Sequence, residues 1–232
     1  MTAPIRRTPA ALALLLLVPA PSIGVLAAMV LFPGTMLGKG LFAISKLWLF
    51  AFPVVWLLLV DKAPCSFSPA RNGGWRAGLL SGMAISLLIL LAYFTFGHGL
   101  LDRSVLAGKM QSIGLGAWPA YLAGALYWIL INSVLEEYVW RWFVYTRCEM
   151  LIGPNAAIAL SAFLFTLHHF FALQTYFSLP LTLLCSLGIL IGGAIWSVLY
   201  RRYRSIWPGY LSHAIVDLAV FGLGAYLLYG KP

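Results

Sequence analysis

The sequence predicts an all-α fold, a polytopic transmembrane bundle of about seven spans. Three observations carry that expectation. Of 232 residues, 62% are hydrophobic and only 9% are charged, and the mean hydropathy is +0.93. A soluble domain of this length needs a charged, polar surface that the chain lacks. The apolar residues gather in runs that approach or exceed the roughly 20 needed to cross a bilayer, and Gly, Pro, Ser, Asn and charge punctuate the connections between them.

The spans fall at about 10–32, 41–60, 77–97, 119–146, 155–175, 179–200 and 206–229. The first follows Arg6 and Arg7 as a signal peptide would, but its apolar stretch runs to Phe32. That exceeds the ~7–15 residues of a signal h-region, so an uncleaved helix is expected, bent near Pro19 and Pro21. The second holds Lys46 close enough to its start to snorkel, and ends at Asp61 and Lys62. The third closes on "FGHGLL", with His98 at the interface. Segment 99–117 is mildly amphipathic and is expected as a loop rather than a helix along the membrane surface. No internal repeat stands out, and residues 1–232 read as a single membrane domain, with the helices that carry the candidate site within 119–229.

The net charge of +9 does not point to nucleic acid, because the basic residues sit in short segments between apolar runs, where they fix orientation. With the amino terminus cytoplasmic, that side holds Arg6, Arg7, Lys62, Arg71, Arg76, Arg147, Arg201, Arg202 and Arg204. The other holds Lys39, Arg103, Lys109 and Lys231. The imbalance predicts an amino terminus inside, and the chain reads as an integral, multi-pass protein of a bacterial or archaeal inner membrane. Cys65, Cys148 and Cys185 are widely spaced and form neither a disulfide framework nor a CxxC motif; they read as small hydrophobes.

Charge within the spans is sparse and placed at one depth. Ionisable groups in a bilayer cost about 2.5–3.5 kcal/mol each and face the bundle interior. At 1.5 Å per helical residue, Glu136 lies roughly 16 Å from the cytoplasmic edge, His169 roughly 21 Å, and His213 and Asp217 about 10 and 16 Å. Residues four apart share a helix face. Glu137 and Arg141 are therefore neighbours, a structural pair in which each charge holds the other. Glu136 points about 100° away, beside Asn132, Ser133 and Trp140. Without a partner on its own helix, it is the carboxylate placed to exchange protons near neutral pH. His213 and Asp217 form another i,i+4 pair. His168 and His169 diverge, so only one is expected to meet Glu136.

In chain order, "EEYVWR" fits EExxxR, "FTLHH" fits FxxxH and "HAIVD" fits HxxxN/D. The set resembles the CPBP family of intramembrane proteases, the CAAX-protease and bacteriocin-processing group also called Abi. The resemblance implies hydrolysis of a peptide bond in a membrane-associated peptide or protein C-terminal segment. Glu136 would activate water with help from His169, and His213 and Asp217 would stabilise the oxyanion or position the water. FxxxH counted from Phe165 selects His169 over His168. Asp217 stands where the family often has asparagine, and an ionised aspartate cannot donate a hydrogen bond.

The chemistry is sensible on its own terms. Amide hydrolysis needs a base for water, stabilisation of the oxyanion and an acid for the leaving amine. A glutamate and two histidines also make a common zinc shell, but no HExxH is present. The expectation is a metal-free glutamate-type mechanism without a cofactor, with zinc as the second choice. The partners expected are a membrane-associated substrate and the lipid bilayer. The competing readings are a catalytically inactive scaffold, in which the polar layer only joins helices, and a proton-coupled transporter.

Overall fold

The computed structural model describes residues 7–64 and 66–230. Among them there is no strand. The chain forms α1 (Thr8–Leu31), α2 (Met36–Asp61), α3 (Trp75–Thr95), a short α4 (Arg103–Ser112), α5 (Trp118–Ile152), α6 (Pro154–Gln174), α7 (Leu179–Tyr203) and α8 (Trp207–Tyr229). All but α4 are long and apolar enough to span a membrane, giving the expected seven. Cys65, Arg6 and Lys231 lie outside the described residues.

Local chemistry explains the boundaries. In α1 the α-helical ladder is interrupted at Val18, between Arg7–Leu17 and Pro19–Leu26, where Pro19 and Pro21 bring no N–H donors. Between α5 and α6 the stop is Gly153, at φ +82°, a conformation that only glycine adopts freely. Pro154 then opens α6 at a position where its missing N–H is no loss. Segment 99–117 departs from the loop expected of it. Asp102 caps α4, its Oδ1 accepting from the backbone N–H groups of Ser104 (2.8 Å) and Val105 (3.3 Å). The Ser104 hydroxyl joins them at 2.6 Å, and these bonds hold the Asp102 carboxyl below its usual range. Ten residues are too few for apolar periodicity to stand out, so the cap is the better local signal.

Two helix pairs, α3 on α8 and α6 on α7, pack along most of their length, and α5 threads between them. The core therefore centres on α5: Val139, Trp140, Phe143, Val144 and Tyr145 are all buried, and they meet Phe52 and Trp56 of α2, Phe165 of α6 and Trp196 of α7. Leu, Ile, Val and Phe elsewhere stay exposed on the outer faces, where lipid tails receive them. The helices instead associate through small residues and close packing. At Gly82 of α3, an added Cβ would lie 2.9 Å from the Ser212 carbonyl oxygen and 3.0 Å from the Ile215 Cβ. Backbone cannot swing aside, so Gly82→Ala should separate α3 from α8, lower stability by about 1–3 kcal/mol and displace the residue that precedes His213. A thermal melt in detergent reads the first effect.

At 35 residues α5 is about 52 Å long, well beyond the ~30 Å hydrocarbon core. Its carboxyl end carries Arg147 to Asp61, with which it forms an ion pair, and Glu149 to Arg204 at 2.7 Å. Arg201 bonds Asn155 beside them. These contacts gather Arg147, Arg201 and Arg204 at one end of the bundle. Lys109 and Arg103 lie against Tyr176 and Tyr226 near the other end.

Candidate active site

The middle of α5 is not uniformly α-helical. A five-residue α-helical stretch, Ser133–Glu137, lies between the wider π-helical turns Tyr127–Asn132 and Tyr138–Tyr145. Such turns re-aim side chains and often occur at functional sites. The glutamates stand at the end of that stretch, Glu137 fully buried and Glu136 only 5% exposed.

Glu136 faces two other helices. Ligand-type atoms of Glu136, His168 and His169 all lie within 4.8 Å of one another, and His213 Nε2 is 3.8 Å from Glu136 Oε2. The expectation that only one of the adjacent histidines could meet Glu136 is not what the structure shows. Their Cβ directions diverge, but imidazoles reach several ångströms from the backbone. Their ring centroids come within 4.0 Å, tilted by 45°, so both rings converge on the carboxylate.

Each histidine is held differently. His169 Nδ1 lies 3.0 Å from the Phe165 carbonyl. A carbonyl only accepts, so Nδ1 carries the proton and Nε2 keeps its lone pair. His168 is buried and stacks on Trp140, with centroids 5.3 Å apart and planes 9° from parallel. His213 donates from Nδ1 to Glu137 Oε1 at 3.1 Å, which turns its Nε2 towards Glu136 and Asp217, each 3.8 Å away. Trp196 stacks on the His213 ring at 3.9 Å and 15°. The Trp196 indole N–H is anchored to Ser212 Oγ at 3.0 Å, and the Ser81 hydroxyl from α3 reaches the same atom at 3.0 Å. Asp217 is tied to α5 by the Ser133 hydroxyl, 2.8 Å from Oδ2.

Glu137 and Arg141 are neighbours, as the four-residue spacing predicts, yet their closest approach is 3.5 Å. This is a Coulombic contact rather than a hydrogen bond, and none of the three guanidinium nitrogens has a hydrogen-bond partner among the described residues. The cation instead lies over the rings of Phe165 (4.7 Å) and Trp196 (5.2 Å). Glu137 thus serves Arg141 by charge and His213 by a hydrogen bond, a second duty that i,i+4 reasoning on one helix could not reveal. The stacking partner of His213 on α7 was equally invisible, because no motif marks Trp196. Trp140 and Ser133 were legible as neighbours of Glu136, though not their partners across the bundle.

The multi-helix bundle thus brings one carboxylate to face three imidazoles in its interior. Residues 116–219, from the start of α5 into α8, match the family model Rce1-like, Type II CAAX prenyl endopeptidase. The match is consistent with the CPBP family, and every motif residue named above lies within the matched segment. No curated protein and no solved structure matches the chain.

Proposed function

We propose that the protein is an intramembrane endopeptidase that cleaves a membrane-associated peptide or protein near its carboxyl end, using water activated by Glu136. The observation that carries the reading is the meeting of Glu136, His169 and His213, from three helices, in one buried layer within a segment that matches a CAAX-type endopeptidase family. Glu136 takes a proton from water as its oxygen attacks the scissile carbonyl, with His169 Nε2 accepting a hydrogen bond that orients it. His213, as an imidazolium whose Nδ1–H is held by the Glu137 carboxylate, donates its Nε2–H to the developing oxyanion, beside Asp217. When the C–N bond breaks, the proton held by Glu136 passes to the leaving nitrogen, so that base and acid are one group. The low-dielectric interior makes each of these charge interactions stronger than in water.

Detergent-purified protein incubated with a peptide library tests the reading. Discrete cleavage products are expected; their absence across prenylated and unprenylated substrates would favour a scaffold. The two adjacent histidines divide the labour. His169→Ala should remove nearly all turnover, whereas His168→Ala should reduce it modestly through lost packing on Trp140. Initial rates on one peptide decide it, and a dead His168 variant beside an active His169 variant would transfer the role by one residue.

The reading places the amino terminus, the 61–76 segment and the basic end of the bundle in the cytoplasm. Single cysteines introduced in a background lacking Cys65, Cys148 and Cys185 test this. The 61–76 segment should resist an impermeant thiol reagent in intact cells, while the 176–180 turn should react. Labelling of 61–76 from outside would invert the topology.

A further inference from the structure

We propose that Glu136, His168 and His169 together bind a divalent transition-metal ion, zinc being the best fit, and that the bound ion inhibits the enzyme by removing Glu136 from its role as base. The second half rests on the function proposed above; the binding site itself does not.

Two imidazoles and one carboxylate are a ligand set that zinc favours, and here all three ligand atoms lie within 4.8 Å of one another. Donors around a zinc ion at about 2.0–2.1 Å stand roughly 3.4 Å apart, so the set need contract by little more than an ångström, within reach of side-chain torsions. Two further observations point to a ligand. Metal-binding histidines usually donate their other ring N–H to a carbonyl or carboxylate, which fixes the ligating nitrogen; His169 does so through Nδ1 to the Phe165 carbonyl at 3.0 Å. His168 is only 7% exposed, and its Nδ1 has no hydrogen-bond partner among the described residues. A buried imidazole nitrogen without a partner is costly, and a metal ion is one group that relieves the cost.

His213 stands outside this set. Its Nδ1 is engaged by Glu137 and its Nε2 is shared between Glu136 and Asp217. The ion would also meet no cysteine: neither Cys148 nor Cys185 is part of the cluster. Bound there, zinc takes both the lone pair of His169 Nε2 and the carboxylate of Glu136, the two atoms that the hydrolysis needs to hold and deprotonate water.

The test is calorimetric titration of zinc chloride into chelator-treated, untagged protein in detergent, with cobalt absorption as a readout of ligand geometry and peptide cleavage followed in parallel. One tight site with a tetrahedral cobalt spectrum is expected. His168→Ala should weaken it by more than the 10–100-fold that loss of an outer-shell partner typically costs, whereas His213→Ala should leave it in place. Cleavage by the wild type should fall as that site fills. Absence of binding to the wild type, or loss in His213→Ala with retention in His168→Ala, would overturn the site while leaving the proposed protease reading intact. Binding at the expected site with a rise in cleavage would overturn the inhibitory role and, with it, the metal-free base.

Discussion

Glu137→Gln should yield a protein that inserts but melts far below the wild type. The side chain is fully buried, lies 3.5 Å from the equally buried Arg141 and accepts a hydrogen bond from His213. Neutralising it strands a guanidinium that already lacks hydrogen bonds among the described residues, and breaking a buried pair typically costs about 3–5 kcal/mol. That is a large share of a folded domain's typical stability of about 5–15 kcal/mol. The new amide also places donors where Glu137 Oε2 now packs against Gly209, with no acceptor provided. A double variant, Glu137→Gln with Arg141→Met, should recover much of the loss, because the stranded charge is gone. Thermal melts of both in detergent check the account. A single variant as stable as the wild type would show that the pair is not the support the geometry makes it.

Glu136→Gln should do the reverse, sparing the fold and stopping the chemistry. Its nearest imidazole atom on α8 is 3.8 Å away, too far for a direct hydrogen bond, so an amide of the same shape costs little in packing. General-base catalysis contributes about 10²–10⁴-fold, and a glutamine cannot take the proton. Cleavage should fall by at least that range, with an unchanged melt. Full activity in purified Glu136→Gln would remove Glu136 from the mechanism.

How far the sequence could be read depends on what each signal requires. Span number and approximate position follow from hydropathy, which needs no knowledge of neighbours, and all seven appear with boundaries within six residues of those expected. The helix at Arg103–Ser112 was missed because it is short and only weakly amphipathic, and its Asp102 cap is a local feature easily outweighed. Depth along each span foretold that Glu136, the histidines and Asp217 would share a layer, since rise per residue is nearly constant. Which groups touch across that layer depends on rotation and tilt, and these are set by packing at Gly78, Gly82 and the π-helical turns. Hence the bond from His213 to Glu137 and the joint approach of His168 and His169 emerged only in three dimensions. The 100° rule is sound for Cβ vectors but too strict for long, flat side chains that lean towards a common neighbour.

The central claim is that water activated by Glu136 attacks the peptide bond directly. The most direct test is single-turnover cleavage in water enriched in oxygen-18, with mass spectrometry of both the products and the enzyme. The mechanism predicts one heavy oxygen in the new carboxyl terminus of the peptide and none in the enzyme segment that carries Glu136. Heavy oxygen retained in the Glu136 side chain would mean that the carboxylate itself had attacked, through an anhydride later opened by water, and would contradict the account.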